Sequence, residues 1–170
     1  MDAFHASNSL SSSTLPFAAE AAWSAGKWEQ LERVLRSSPS RDANTFLDFN
    51  VGVGRALLAL RRKDNAEFKA IIAALRGSLA AGLSSSSTAS IQACHDQLVK
   101  LHALYELEAI SGATTTEIPD RAVILENLDR RLDIIGAYTS DKQYLLGVRR
   151  ATMLLSRYLN LIGMLFCQNG

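Results

Sequence analysis

Gly52-Val53-Gly54, followed by Leu57, has part of the outline of the glycine-rich turn that cradles a dinucleotide pyrophosphate. That turn needs a strand before it, glycine or alanine at its third position, and an acidic residue beyond the next strand. Here the flanks have helical spacing and the third position is leucine. The two glycines are therefore expected to let neighbouring helices approach closely. Asp48-Phe49-Asn50 differs by one residue from the metal-binding Asp-Phe-Gly of protein kinases, but no catalytic loop, Gly-rich loop or strand lysine accompanies it. It predicts a core phenylalanine between two polar residues. Cys94, His95 and His102 fall on one helix, and the two histidines share a face. A zinc site needs three or four ligands, and no further residue completes one here. Cys94 is expected to be a small buried hydrophobe. Serines are abundant, yet none sits in the context of a nucleophile elbow. No catalytic residue, cofactor or metal is expected, and the chain is not expected to be an enzyme.

Three tandem arginine pairs remain. Arg61-Arg62, with Lys63, lies in the last turn of a helix, where cations complement the dipole. Arg130-Arg131 alternates with Asp129 and Asp133 and has the pattern of a self-neutralising, solvated face. Arg149-Arg150 is less compensated and is open to an acidic neighbour, with surface solvation as the default for all three pairs.

The composition frames these local readings. The chain has 170 residues, 48% of them hydrophobic and 21% charged, which excludes a disordered chain and an integral membrane protein. With Lys+Arg 18 against Asp+Glu 17, the formal charge is +1. That balance argues against nucleic acid as the main partner, because phosphate contacts need a clustered cationic excess. Two widely separated cysteines suggest no disulfide framework and fit a reduced intracellular compartment. One domain, at most with a tail, suits the length.

Helical spacing dominates. Residues 1–15 are expected to be a disordered lead-in without the basic start and apolar run of a secretory signal. Pro16 fits a first helical turn, and Phe17 to Ala25 follows as a helix broken at Gly26. Lys27 to Arg36 resumes with Trp28, Leu31, Val34 and Leu35 on one face, and Ser37-Ser38-Pro39 closes the hairpin. A third helix is expected from about Asn44 to Arg62, with Phe46, Phe49, Val53, Leu57 and Leu60 three or four apart. Asp64 and Glu67 form a capping-box-like start to a fourth, which carries Phe68, Ile71, Leu75 and Leu79 and ends at Gly82 and Ser84 to Ser87. A fifth is expected over Ala89 to Ile110, stopped by Ser111-Gly112, with Ile91, Cys94, Leu98, Leu101 and Tyr105 as its seam. A loop over Ala113 to Pro119 leads to a sixth, Arg121 to Ile135, and a seventh starts near Asp141. No segment alternates with period two, so the fold class is all-α: antiparallel helical hairpins stacked as a tetratricopeptide-like α-solenoid.

Particular strings go further. Ala21-Ala22-Trp23-Ser24-Ala25-Gly26-Lys27-Trp28-Glu29-Gln30-Leu31 resembles the Ala-Ala-Trp…Gly-x-Trp-x-x-Leu signature in the FAT domain of phosphatidylinositol-3-kinase-related protein kinases. Gly54 to Asp64, then Phe68, resembles the family's next helix pair. Leu98-Val99-Lys100-Leu101-His102-Ala103-Leu104-Tyr105-Glu106-Leu107-Glu108 is similar to the ATR checkpoint-kinase branch in particular. Arg131-Leu132 and Leu145 to Arg150 resemble a later Arg-Leu…Leu-Arg-Arg element, and Tyr138 to Lys142 has a filamentous-fungal wording.

The resemblance covers about Phe17 to Leu155 and gives residues 16–156 as a partial FAT-type domain, with 157–170 as an atypical apolar tail from read-through or mis-splicing. It implies a non-catalytic scaffold segment of a nuclear serine/threonine kinase of DNA-damage checkpoint signalling. The implied partners are protein: the parent's kinase domain, neighbouring helical repeats and a second copy, with neither nucleic acid nor membrane touched directly. Trp23, Trp28, Phe68, Leu101 and Tyr105 would be packing anchors, with Gly26, Leu31, His102, Arg149 and Arg150 as the other motif residues. The alternative is a free-standing tetratricopeptide-like adaptor that binds a peptide or protein.

Overall fold

The computed structural model describes residues 14–36, 48–85, 91–113, 118–135 and 137–167, and side chains within 14–36, 48–84, 94–112, 122–135 and 137–155. Residues 1–13 of the expected lead-in, the hairpin closure at 37–39 and the side chains of the tail lie outside them, whereas Thr14 and Leu15 are helical and the third helix, expected from about Asn44, starts only at Phe49, after Asp48 in extended backbone. Seven helices are described: α1 (14–24), α2 (Trp28–Arg36), α3 (Phe49–Arg61), α4 (Asn65–Ser85), α5 (Ile91–Ala113), α6 (Ile118–Ile134) and α7 (Thr139–Cys167). The described residues contain no strand.

The helices differ from the expected bounds where local stop signals are weak. α4 runs through Gly82 to Ser85, and α5 runs through Ser111-Gly112 to Ala113. A single glycine costs a helix only about 1 kcal/mol against alanine, which the rest of a long helix absorbs. α6 starts at Ile118, so Pro119 sits in its first turn rather than in the preceding loop. α7 continues without a break through the expected tail boundary to Cys167.

Two helix ends close in the same way with different residues. At the end of α1, the Gly26 N–H donates to the Trp23 carbonyl at 3.1 Å and the Lys27 N–H to the Ala22 carbonyl at 2.9 Å. Gly26 has φ 69, the left-handed geometry that this Schellman closure requires. At the end of α3, Lys63 bonds Leu60 and Asp64 bonds Ala59, each at 3.0 Å, and Lys63 takes φ 61. A lysine occupies a position that favours glycine. Asp64 then caps α4, accepting from the Glu67 N–H at 2.9 Å. The box stays half-formed, because the Glu67 carboxylate pairs with Arg62 at 2.7 Å.

The chain divides into two compact units, Met1–Leu75 and Arg76–Gly170, with the division inside α4. In the first, Glu20 meets Asn50 and Arg61 meets Glu29, which sets α3 parallel to α1 and antiparallel to α2. Its core gathers Trp23, Leu31, Val53, Leu57, Phe68 and Ile72. In the second, His95 meets Asp141 and Glu106 meets Arg149, so α5 and α7 run parallel. Only four residues separate α6 from each neighbour, which forces it to reverse direction between them. Leu104, Leu107, Leu128, Leu145, Val148 and Leu155 are buried there.

Candidate functional site

In the first unit, α3 is capped by Asp48, whose carboxylate accepts from the Asn50 N–H at 2.7 Å and the Val51 N–H at 3.3 Å. Asp48 therefore serves a helix start, and Phe49 beside it is only half-buried. From Val51 to Leu60 every residue except Arg55 is buried. Both glycines sit where a neighbouring leucine packs against the α3 backbone, Gly52 more closely than Gly54. A Cβ on Gly52 would lie 2.5 Å from Leu75 Cδ2, and one on Gly54 would lie 3.1 Å from Leu31 Cδ1. The expected close approach of helices is what these glycines provide. Near the same end, Glu20 accepts from the Asn50 side-chain amide at 2.8 Å. Burial pushes the Glu20 carboxyl above its ordinary range, and the Asp48 charge adds to the shift. Glu29, exposed at the start of α2, is instead held below the usual range, first by its own backbone N–H and then by Arg61.

The second unit holds the polar centre. Arg149, on α7, donates from Nε to Glu106 Oε2 and from Nη2 to Glu106 Oε1, both at 2.9 Å. Nη1 reaches the Asp129 carboxylate, and Nη2 also donates to the Leu128 carbonyl at 3.0 Å. One guanidinium therefore ties α7 to α5 and α6. The Arg149 and Glu106 side chains are 9% and 3% exposed. Hydrogen bonding to Glu106 raises the Arg149 pKa, against the lowering effect of burial, and the Glu106 and Asp129 charges act in the same direction.

Solvation is thus overturned as the reading for Arg149, while Arg150 is exposed. Asp129 leaves the self-neutralising face to reach Arg149. Of that face, Arg130 pairs with Glu126 at 2.6 Å and Arg131 lies 4.0 Å over the Tyr105 ring.

The other motif residues separate into several settings. Trp23, Leu31 and Phe68 are buried, Gly26 forms the α1 closure, and Trp28, Leu101 and His102 are half-buried. Tyr105 is 40% exposed, so it is a platform for Arg131 rather than an interior anchor. His95 Nε2 lies 2.7 Å from Asp141 Oδ2, with the Tyr138 ring 4.8 Å away, which makes it an inter-helix contact. Cys94 is half-buried, short of the full burial expected. Among the described residues no cluster of three or more metal-ligating side chains occurs, and no helix is long and apolar enough to cross a membrane. Glu106 is a charged core residue outside the motif residues expected to matter. Its signal was present: it sits between Tyr105 and Leu107 on the inward side of α5, beside Ala103 and Leu104.

These positions do not assemble a reacting centre; they lock helices together. The sequence matches the family model of the FAT domain over residues 15–163. The chain belongs to the FAT-domain family. The match begins within α1 and continues along α7 past residue 156. A FAT domain is a non-catalytic, solenoid-like helical part of phosphatidylinositol-3-kinase-related kinases, which accords with helix-to-helix contacts as the principal feature. No curated protein and no solved structure gives a match to this FAT domain.

Proposed function

We propose that this FAT domain is a scaffold segment of a larger ATR-like serine/threonine kinase acting in the nucleus in DNA-damage checkpoint signalling. The observation that carries the reading is the family match over residues 15–163, joined to the ATR-like string from Leu98 to Glu108. That string includes Glu106, the buried partner of Arg149, so the wording that singles out the branch includes a residue that joins α5 to α7.

The working mechanism is mechanical. Stacked antiparallel helices transmit force through their contacts, and small shifts between packed helices bias an attached kinase domain between states. The kinase lobes and neighbouring helical repeats of the same polypeptide are the partners in this reading.

The test begins with the transcript, sequenced through the codons for Leu155 to Gly170 and beyond. A message that continues into kinase motifs is expected. The parent kinase carrying Arg149→Ala should then lose damage-stimulated phosphorylation while still accumulating in the nucleus. A locus encoding no kinase lobe, or a variant kinase with normal stimulation, would overturn the proposal.

A further inference from the structure

The arginine clamp in the second unit is asymmetric. On its α5 side, Arg149 makes a two-pronged pair with Glu106, and both side chains are buried. Parting them would strand a charge in the interior, the costly way to break an ion pair. On its α6 side, Arg149 holds the Asp129 carboxylate and the Leu128 carbonyl. Asp129 is 71% exposed and already faces water. If α6 moves away, Arg149 gives up Asp129 and the Leu128 carbonyl but keeps Glu106, Asp129 becomes fully hydrated, and no buried charge is left without a partner.

The apolar grip on α6 is equally one-sided. Among its described side chains, Leu128 is buried and Ile124, Leu125 and Leu132 are half-buried. Val123 is 56% and Ile134 is 82% exposed. Arg131 over Tyr105 is a partly exposed cation–π pair of modest strength. By contrast, α7 contributes Leu145, Val148, Ala151, Thr152 and Leu155 to the interior, and α5 contributes Ala103, Leu104, Leu107 and Ile110. Helices with few buried apolar contacts open at lower free energy than the core around them.

We propose that α6 is a flap that opens as a unit from a persistent α5–α7 pair, with the Asp129–Arg149 contact as its catch. The Glu106–Arg149 pair stays closed in both states and keeps α5 and α7 in register. Any partner or modification that favours the open form shifts the equilibrium by its differential affinity for that form.

Hydrogen–deuterium exchange on the whole 170-residue chain tests this. Amides of α6 should exchange faster than those of α5 and α7 in the parent chain. Asp129→Asn should speed α6 about two- to fivefold, the range of an exposed ion pair, and leave α5 and α7 unchanged. Glu126→Gln, which removes a pair within α6 only, should leave the exchange of its central turns as in the parent. The flap is refuted by equal protection of all three helices, by a uniform response to Asp129→Asn, or by no response at all.

Discussion

α3 of the first unit and α7 of the second both lie along neighbouring helices, and they do so by opposite means. Around α3 the contact is one of shape. Glycines at 52 and 54 bring its backbone against Leu75 and Leu31, and the buried run from Val51 to Leu60 is almost wholly apolar. Around α7 the contact is one of charge, through Arg149 set in an interior of leucine, valine and alanine. A shape contact tolerates small sliding but no added volume. A forked charge contact fixes register and resists the loss of either partner.

The largest effects should come from removing the centre of each arrangement. Arg149→Ala leaves Glu106 buried and alone, and about 3–5 kcal/mol of stability should be lost from the second unit. Replacing both partners, as Glu106→Leu with Arg149→Met, should recover most of it, because an apolar pair of similar volume needs no desolvation. Trp23→Ala should cost the first unit a similar amount, about 3–5 kcal/mol, whereas half-buried Trp28→Ala should cost less. Both tryptophans of the chain lie in the first unit. Urea unfolding of Arg149→Ala, followed by tryptophan fluorescence and by circular dichroism, separates the units. If the fluorescence midpoint falls as far as the dichroism midpoint, the two contacts are not independent.

Gly52→Ala should come next. Leu75 is buried and has little room to move, so overpacking of about 1–3 kcal/mol outweighs the gain in helix propensity. Gly54→Ala meets Leu31 less closely and should cost less. The shape reading fails if both substitutions raise the thermal midpoint.

Smaller changes probe the ends of the helices. Lys63→Gly should stabilise by about 1 kcal/mol, since glycine takes the left-handed backbone without the penalty that a Cβ brings. An unchanged or lower melting temperature would count against that assignment. Glu20→Gln should stabilise at neutral pH by about 0.5 kcal/mol after allowance for solvent screening. The sign follows from the raised pKa of Glu20: the protonated form suits the fold, and ionisation as pH rises works against it. The gain should therefore shrink as pH falls through the carboxylate range. A gain that grows on acidification would reverse the assigned cause.

Much of the local structure was legible in the residues themselves. Gly26 marked the end of α1, Pro16 lay in its first turn, and Asp64 stood where α4 starts. The helical spacing of Val53, Leu57, Phe68, Ile71, Leu75 and Leu79 fell on buried positions, whereas the seam expected on α5 did not: Leu98 and Tyr105 are exposed, Leu101 is half-buried, and Val99, Leu104 and Leu107 turn inward instead. Such signals act within one or two turns, over which the backbone alone fixes which side chains meet. A glycine beside serines did not suffice as a stop: Gly82 and Gly112 were overridden by long helices, whereas Gly26, in left-handed geometry, ended α1.

The sequence by itself determined that this chain is helical, where α1 ends and α4 begins, and to which family its strings belong. Tertiary structure alone decided that Arg149 would find Glu106, 43 positions away, and Asp129, 20 positions away. It alone decided that Tyr105 would face outward under Arg131 and that His95 would reach Asp141 across 46 positions. The physical reason is register. Periodicity says which face of a helix turns inward, but the sliding and rotation of one helix against another set which charges coincide, and those are fixed only when the whole interior packs.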